Sequence, residues 1–384
     1  MARLYYLDSF RTAFDSTVAS IVDGWVYLEE SAFYPESGGQ PADFGTLNGL
    51  AVVDVQEMPD GGVGHKVDGV LEQGARVSGA VDWARRFDHM QQHTGQHLLS
   101  AVFEELFQIP TLSFHMGAAV STIDLDVPAL TAAQLEQAER RANEAVFENR
   151  AVTVTFEDAA TASGLRKASA RSGELRIVTI ADLDRSACGG THVRTTGEIG
   201  PILLRRTEKV RNATRLEFVC GGRAVRRARM DYDVLSLLSR TYSCGVDEVA
   251  PVAVGQAERL QEVEKVRRKL SQELASLQGR ALYEAAVAGA DGVRRHLHRG
   301  AITDEVRAQA TAFALGSKAV FLALGGDSVL LAASKDSGIN AGAVVKAVAA
   351  RGGGSPQMGQ GSVVDAEAAE ERIRTELAWP KESI

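Results

Sequence analysis

Two short segments carry the residue types that bind metal ions. Asp88–Leu99 reads DHMQQHTGQHLL, and His89, His93 and His97 recur every four residues. Residues four apart on an α-helix share a face, so two imidazoles can converge on one ion. By spacing alone the pairs 89/93 and 93/97 are equivalent. Cys188–His192, CGGTH, adds a thiol and an imidazole four apart, beside two glycines. Two histidines from the first segment with the Cys and His of the second complete a tetrahedral N/S set, which suits Zn²⁺. A lone histidine on a half-apolar helix is ordinarily packed or solvated; the second motif turns the balance toward metal. The first motif is not HExxH, because Thr94 stands where that motif places its general base. Four protein ligands also make a closed set, which favours a structural role unless one ligand is loose.

Two further segments could meet a polyanion. Arg205 to Arg229 holds nine basic residues: Arg205, Arg206, Lys209, Arg211, Arg215, Arg223, Arg226, Arg227 and Arg229. Only Glu208 and Glu217 stand against them. They suit phosphate contact beside the metal motif, or a solvated face laced with ion pairs. Arg351–Ser362, RGGGSPQMGQGS, is glycine-rich. It serves either as a flexible connection or to bring backbone N–H groups close to phosphate.

These segments need elements to position them. Residues 1–85 read as β-rich, with runs at Ser16–Tyr27, Gly49–Val55 and Gly74–Trp83 separated by glycine turns. Between the first two lies Tyr34–Asp43, YPESGGQPAD, a glycine and proline loop. From Arg85 the period becomes helical. Phe87–Phe107 carries Met90, Leu98, Ala101, Val102 and Leu106 at helical spacing and ends before Pro110. Thr131–Asn149 is a second helix, with Thr131 as N-cap. Ala151–Phe156, Leu175–Ile180, Ile199–Arg206 and Arg215–Val219 read as strands. Residues 251–289 are helical and heptad-like, with Leu260, Val263, Leu270, Leu274, Leu277 and Ala281 near a/d spacing and Arg267 breaking the seam. That helix either packs on its own domain or forms a homodimer through residues 251–285. Ala319–Leu324 and Ser328–Ala333 flank GGD as a strand pair, and Asn340–Ala350 is a helix.

The expected fold class is therefore α+β in four parts: a small β-barrel subdomain (1–85), an α+β zinc-binding core (86–245), a long helix (251–289) and an α/β glycine-rich C-terminal domain (290–384). A chain of 384 residues has room for them. Its 50 acidic against 42 basic residues give a net charge of −8, which excludes a uniformly basic nucleic-acid coat but not a local patch. No run of about 18 apolar residues predicts a membrane span. The N-terminus lacks a signal-peptide core. Three cysteines are too few for a disulfide framework, so a cytoplasmic setting is expected.

HTGQHLL at His93–Leu99, CGGTHVRTTGEIG at Cys188–Gly200 and YPESGGQPAD at Tyr34–Asp43 together resemble the editing domain of alanyl-tRNA synthetases and the free-standing AlaX proteins. VFLALGGDSVLLAASKDSGINAG through RGGGSPQMGQGS resembles the glycine-rich C-terminal domain that alanyl-tRNA synthetases share with DHH-type phosphoesterases. The order of parts is that of the long AlaX form. The resemblance implies metal ligands at His93, His97, Cys188 and His192, with His89 spare. Thr111–Gly117 (TLSFHMG) matches the strand lining the amino-acid pocket, placing Ser113 as a substrate residue and His115 as a catalytic one. Gly38, Gly39 and Gln40 fall on the loop implicated in substrate discrimination. Arg205, Arg206, Lys209, Arg211, Gly352, Gly353 and Gly354 fall to tRNA binding. Ser37 stands where a third glycine is common, and the C-terminal glycine run is shorter than usual.

The implied activity is zinc-dependent, ATP-independent hydrolysis of mischarged tRNA(Ala), chiefly Ser-tRNA(Ala), with Gly-tRNA(Ala) as a second substrate. About 85 residues before the core are too few for an aminoacylation domain, so the chain is expected to act in trans. The scissile ester is activated, so the protein need mainly place a water and stabilise an oxyanion. His115, His89 or the neighbouring ribose hydroxyl would relay the proton. The alternatives are a non-catalytic tRNA-binding protein with a structural zinc, and a metallohydrolase of another ester.

Overall fold

The structure, a computed structural model, describes residues 1–167 and 172–379. Residues 168–171 of the expected core and 380–384 of the expected C-terminal domain lie outside the described residues. The chain forms two compact units, Met1–Leu237 and Leu238–Ile384. The architecture is mixed α+β with a closed six-stranded barrel.

The barrel strands are β1 (Ala13–Val22), β2 (Trp25–Leu28), β3 (Gly45–Leu47), β4 (Leu50–Glu57), β5 (Val63–Val67) and β6 (Arg76–Val81). They close in the order β1-β2-β5-β4-β3-β6. The run expected as one strand at Ser16–Tyr27 is a hairpin, because Asp23 and Gly24 adopt positive φ and turn the chain. Phe14, Val18, Val26, Leu28, Leu47, Val52, Val55 and Val77 fill the barrel.

Helix α1 (Trp83–Phe107) starts at Asp82, whose side chain accepts from the Arg85 N–H, and stops at Gln108 in the left-handed conformation. Every residue from His89 to Phe103 is buried. The periodicity of a half-solvated helix thus belongs to a central one, surrounded on all sides. Strand β7 (Thr111–Met116) pairs with β8 (Ser121–Leu125). Helix α2 (Ala132–Phe147) carries a full capping box from Thr131 and Gln134. Strands β9 (Val152–Asp158), β10 (Glu174–Ile180) and β11 (Asp184–Ala187) form a three-stranded sheet. Strands β12 (Ile202–Val210) and β13 (Ala213–Cys220) join β8 and β7 in the order β12-β13-β8-β7. Helix α3 (Gly221–Tyr242) follows. Met90, Leu98, Leu99, Val102, Phe103, Ile123, Ile180, Ile202 and Phe218 make one core around α1.

In the second unit, α4 (Val249–Ala285) is 37 residues long. Strand β14 (Arg294–Arg299), helix α5 (Asp304–Phe313), strands β15 (Ala319–Gly325) and β16 (Ser328–Ala333), helix α6 (Ala341–Val348), strands β17 (Arg351–Gly354) and β18 (Met358–Ser362) and helix α7 (Ala366–Glu376) complete it. The sheet order is β14-β15-β16-β18-β17. The glycine-rich segment expected as a loop is the β17–β18 hairpin at that sheet's edge. Its glycines pair as strands because the ladder needs only main chain, which propensity undervalues.

Candidate metal centre

His93 and His97 stand on consecutive turns of α1, and Cys188 and His192 follow β11. Their ligand atoms all lie within 4.8 Å of one another, a group that could hold a metal ion. Cys188 Sγ is 3.5 Å from His93 Nε2 and 3.3 Å from His192 Nε2. A tetrahedral ion bonded at about 2.0–2.3 Å spaces its donors roughly 3.3–3.7 Å apart, so these separations fit one.

Each imidazole is aimed by its other nitrogen. His93 Nδ1 donates to Gln40 Oε1 at 2.7 Å, and His97 Nδ1 donates to Asp184 Oδ2 at 2.8 Å. His192 Nδ1 lies 3.1 Å from Thr94 Oγ1. With every Nδ1 engaged, the three Nε2 atoms face the centre, the outer arrangement typical of metal sites. Gln40 is itself fixed, since Nε2 donates to Thr191 Oγ1 at 2.9 Å and Oε1 also accepts from Thr191 N–H at 3.2 Å. Asp184 is held by Arg166 at 2.6 Å and Ser186 Oγ at 3.0 Å. Gly190 lets the Cys188 loop pass against His93, whose ring a Cβ there would overlap.

The donors titrate against one another. Burial alone would raise the Cys188 thiol, but His93 and His192 outweigh it and hold it well below its usual value. Burial lowers His192 to about 3, which keeps that ring neutral. Burial opposes charge on His97 too, yet its hydrogen bond to Asp184 and the neighbouring Cys188 raise it to about 9. Burial would lift Asp184, but His97 and Arg166 hold it below the carboxylate range.

A cavity of about 590 Å³ opens over three of the four donors, His93, His97 and Cys188. Its wall includes Tyr5, Tyr6, Tyr34, Gly38, Gln96, Phe114 and Arg176.

The other expected site residues fall in varied places. Gly38 lines the cavity, while Gly39 packs so tightly on the Phe114 carbonyl that a Cβ would collide with it. Gln40, expected to touch substrate, instead buttresses His93. On β7 the strand alternation sets Phe114 toward the cluster, stacked 5.4 Å from the His93 ring. Ser113 and His115 therefore occupy the opposite face. Ser113 nonetheless lines the cavity, its hydroxyl donating to Asp124 at 2.7 Å, whereas His115 is exposed and absent from the cavity wall. A one-residue phase of the pleat decides which side chains of this strand face the cluster. His89 stays out of the cluster and out of the cavity wall. It is 3% exposed, its Nδ1 has no partner, and burial with the nearby Arg85 lowers it to about 3. Neither expected proton relay thus reaches the metal centre.

Most of the basic segment is paired. Arg205 and Arg227 meet Asp231, Arg206 meets Glu217, Arg215 meets Asp124, and Arg223 and Arg226 meet Asp88. Lys209, Arg211 and Arg229 make no ion pair among the described residues, and Arg229 lies over the Tyr232 ring. Gly352, Gly353 and Gly354 belong to β17 in the second unit.

Spacing missed Gln40, Thr94, Asp184 and the pair Arg86–Asp43. Arg86 and Asp43 are fully buried and joined side chain to side chain; Arg86 Nη1 also donates to Ser9 O at 2.7 Å, and Asp43 accepts from Tyr34 N–H at 2.7 Å. This pair ties the 34–43 loop to α1. Only Asp184 had a readable signal, since Asp184, Ser186 and Cys188 alternate along one strand face.

Comparisons with known proteins agree with this arrangement. The family described as "tRNA synthetases class II (A)" matches residues 6–85, and that described as "Threonyl and Alanyl tRNA synthetase second additional domain" matches residues 175–216. An alanine–tRNA ligase of Pyrococcus abyssi is 30% identical over 401 residues, 97% of this chain and 43% of that protein. The alanyl-tRNA editing protein Aarsd1 of Bos taurus is 35% identical over 58% of this chain and 51% of its own length. That of Mus musculus is 32% identical over 292 residues, 70% of each chain. A synthetase-related barrel and a core whose His/Cys cluster could hold a metal ion thus define the class. Within it, this chain belongs to the alanyl-tRNA editing protein family. It spans about half or less of the first two relatives named.

Proposed function

We propose that the chain hydrolyses tRNA(Ala) charged with the wrong amino acid, chiefly serine and secondarily glycine, and that it acts in trans. The supporting observation is the His93/His97/Cys188/His192 cluster opening onto a cavity wide enough for an aminoacyl-ribose. The donor set fits Zn²⁺, which when bound would polarise an oxygen at that position. Cys188 supplies the anionic donor, and Gln40, Asp184 and Thr94 hold the imidazoles in the required tautomer. In the reaction a water oxygen bonds to the ester carbonyl carbon and the carbonyl π pair moves to oxygen. The intermediate then expels the ribose oxygen, which takes the proton. With His115 and His89 outside the cavity wall, the neighbouring ribose hydroxyl is the favoured relay.

Discrimination needs a polar partner for the serine hydroxyl, since a pocket built for it is left unpaired by alanine. Gln96 in the cavity wall, 7% exposed, has one amide end on Ser100 Oγ at 2.8 Å. Lys209 and Arg211 make no ion pair among the described residues, and we assign tRNA contacts to them ahead of the paired Arg205 and Arg206. Gly352, Gly353 and Gly354 are proposed as a second tRNA surface. We also infer the four-part organisation 1–85, 86–245, 251–289 and 290–384, a cytoplasmic setting and a homodimer through residues 251–285. No helix among the described residues is long and apolar enough to cross a membrane.

The test is a deacylation time course on Ser-tRNA(Ala) and Ala-tRNA(Ala), with wild type and Cys188→Ala in parallel and zinc content measured on both. Fast loss of serine, slow loss of alanine and an inactive zinc-free variant are expected. Zinc and tRNA binding without deacylation would select the reading that the closed ligand set favours, a tRNA-binding protein with structural zinc.

A further inference from the structure

The cavity wall contains a buried cation without a carboxylate partner. Arg176, on β10, is 7% exposed. Its Nε donates to the Tyr6 carbonyl at 3.1 Å, and its Nη1 donates to the carbonyls of Cys188 at 2.7 Å and Gly190 at 3.0 Å. Its Nη2 is buried and has no partner. No carboxylate pairs with this guanidinium among the described residues; the Tyr6 ring lies 5.4 Å from its Cζ. The Tyr5 hydroxyl belongs to the same wall, is buried, and also has no partner. Native interiors seldom leave a charged donor and a hydroxyl unsatisfied together, and such groups mark places where a ligand completes the set.

We propose that Arg176 Nη2 and the Tyr5 hydroxyl form a subsite for an anionic oxygen of the substrate, beside the metal cluster. This rests on the deacylase reading. An aminoacyl ester of RNA offers two such oxygens: the ester carbonyl oxygen, which gains charge as water adds, and the terminal phosphodiester. Because Nη1 is tied to the Cys188 and Gly190 carbonyls, the free edge of the guanidinium is held at a fixed offset from the ligand loop. A donor fixed in this way needs no reorganisation when the charge develops. Lysine would keep the charge and lose the planar fork that serves the loop and the substrate at once.

The experiment compares seryl-tRNA(Ala) with seryl-adenosine, an ester without phosphate, using wild type, Tyr5→Phe and Arg176→Lys. Zinc content and melting temperature are recorded for each. Tyr5→Phe removes a hydroxyl that has no hydrogen-bond partner among the described residues, so zinc and melting temperature should stay at wild-type values while deacylation falls about tenfold. Arg176→Lys should fall about a hundredfold. A loss in kcat on both esters assigns the carbonyl oxygen. A loss in KM confined to the tRNA ester, steeper at higher salt, assigns the phosphodiester; either result supports the subsite. Wild-type rates in Tyr5→Phe, or a loss in both variants that tracks lost zinc, overturn it. A wild type that cleaves neither ester overturns the deacylase reading, and the subsite with it.

Discussion

Helices α1 and α4 look alike as patterns and are opposites as environments. In α1 an unbroken run of buried residues includes Gln91, Gln92, Thr94 and Gln96. These polar groups are partnered. Gln92 exchanges hydrogen bonds with the Cys220 backbone at 2.9 and 3.0 Å, and Gln91 donates to Glu198 O at 3.0 Å. In α4 only Val249, Ala275 and Gly279 are buried. Leu260, Val263, Leu270, Leu274 and Leu277 are each 57–63% exposed. Apolar spacing therefore sets which residues share a face; the neighbours decide which face is inside. Polar residues lie inside where the fold needs them to aim other groups, and the apolar stripe lies outside where α4 packs through Ala275 and Gly279.

The strongest way to break the α1 environment is Arg86→Met. It strands the Asp43 carboxylate in a dry interior, which should cost about 3–5 kcal/mol, read as a fall in the urea midpoint of the first unit. The same change at an exposed α4 position, such as Arg268→Met, should leave the midpoint unmoved.

Acid should act on the barrel next. His65 is fully buried, with Nδ1 donating to Val26 O at 3.0 Å and Nε2 2.7 Å from Ser31 Oγ. Burial lowers it from 6.5 to about 4, against the opposing pull of the Val26 carbonyl. The unfolded chain takes this proton first as pH falls. The stabilisation is therefore complete above about pH 6.5 and is lost on the way down to about pH 4, roughly 3 kcal/mol in all. Unfolding titrations at pH 7 and 4.5 check this, and His65→Gln should flatten the difference.

Gln40→Leu should weaken zinc binding about 10–100-fold in a chelator competition, because His93 loses the acceptor that fixes its tautomer. Asp184→Asn should do the same through His97. An unchanged affinity in both would show that the ligands are aimed by packing alone.

The smallest effect sharpens the α4 side. Leu270→Glu with Leu274→Glu should change the stability of the isolated chain by no more than about 0.5 kcal/mol, because both side chains are exposed. If the stripe joins two copies, light scattering should report the variant as a monomer and wild type as a dimer.

Helical and loop spacing, being local, narrowed the candidate ligands to His93 with His89 or His97 and to Cys188 with His192; the family resemblance chose His97. His93 and His97 need only one helix, and Cys188 and His192 only one tight turn. The roles of Gln40 and Thr94 toward the imidazoles were hidden because they meet their rings across 53 and 98 residues of chain; Asp184, 87 residues from His97, left only the strand alternation as a trace. The phase of β7 was hidden for a related reason. Alternation shows that Ser113 and His115 share a face, but only the packing of Phe114 on His93 shows which face is inward. The basic cluster was legible as charge, but Asp88 and Asp124 come from other elements, and only Asp231 pairs within α3, with Arg227.

The wide separation of the ligands also sets an order of events during synthesis. His97 leaves the ribosome 91 residues before Cys188, so the two helix histidines are made long before the thiolate that completes their set. Over that interval the partners Asp43 and Arg86 are both already present. Their buried clasp can dock the nascent 34–43 loop on the helix and bring Gln40 near His93, while Thr191, which fixes Gln40, arrives only with the last two ligands.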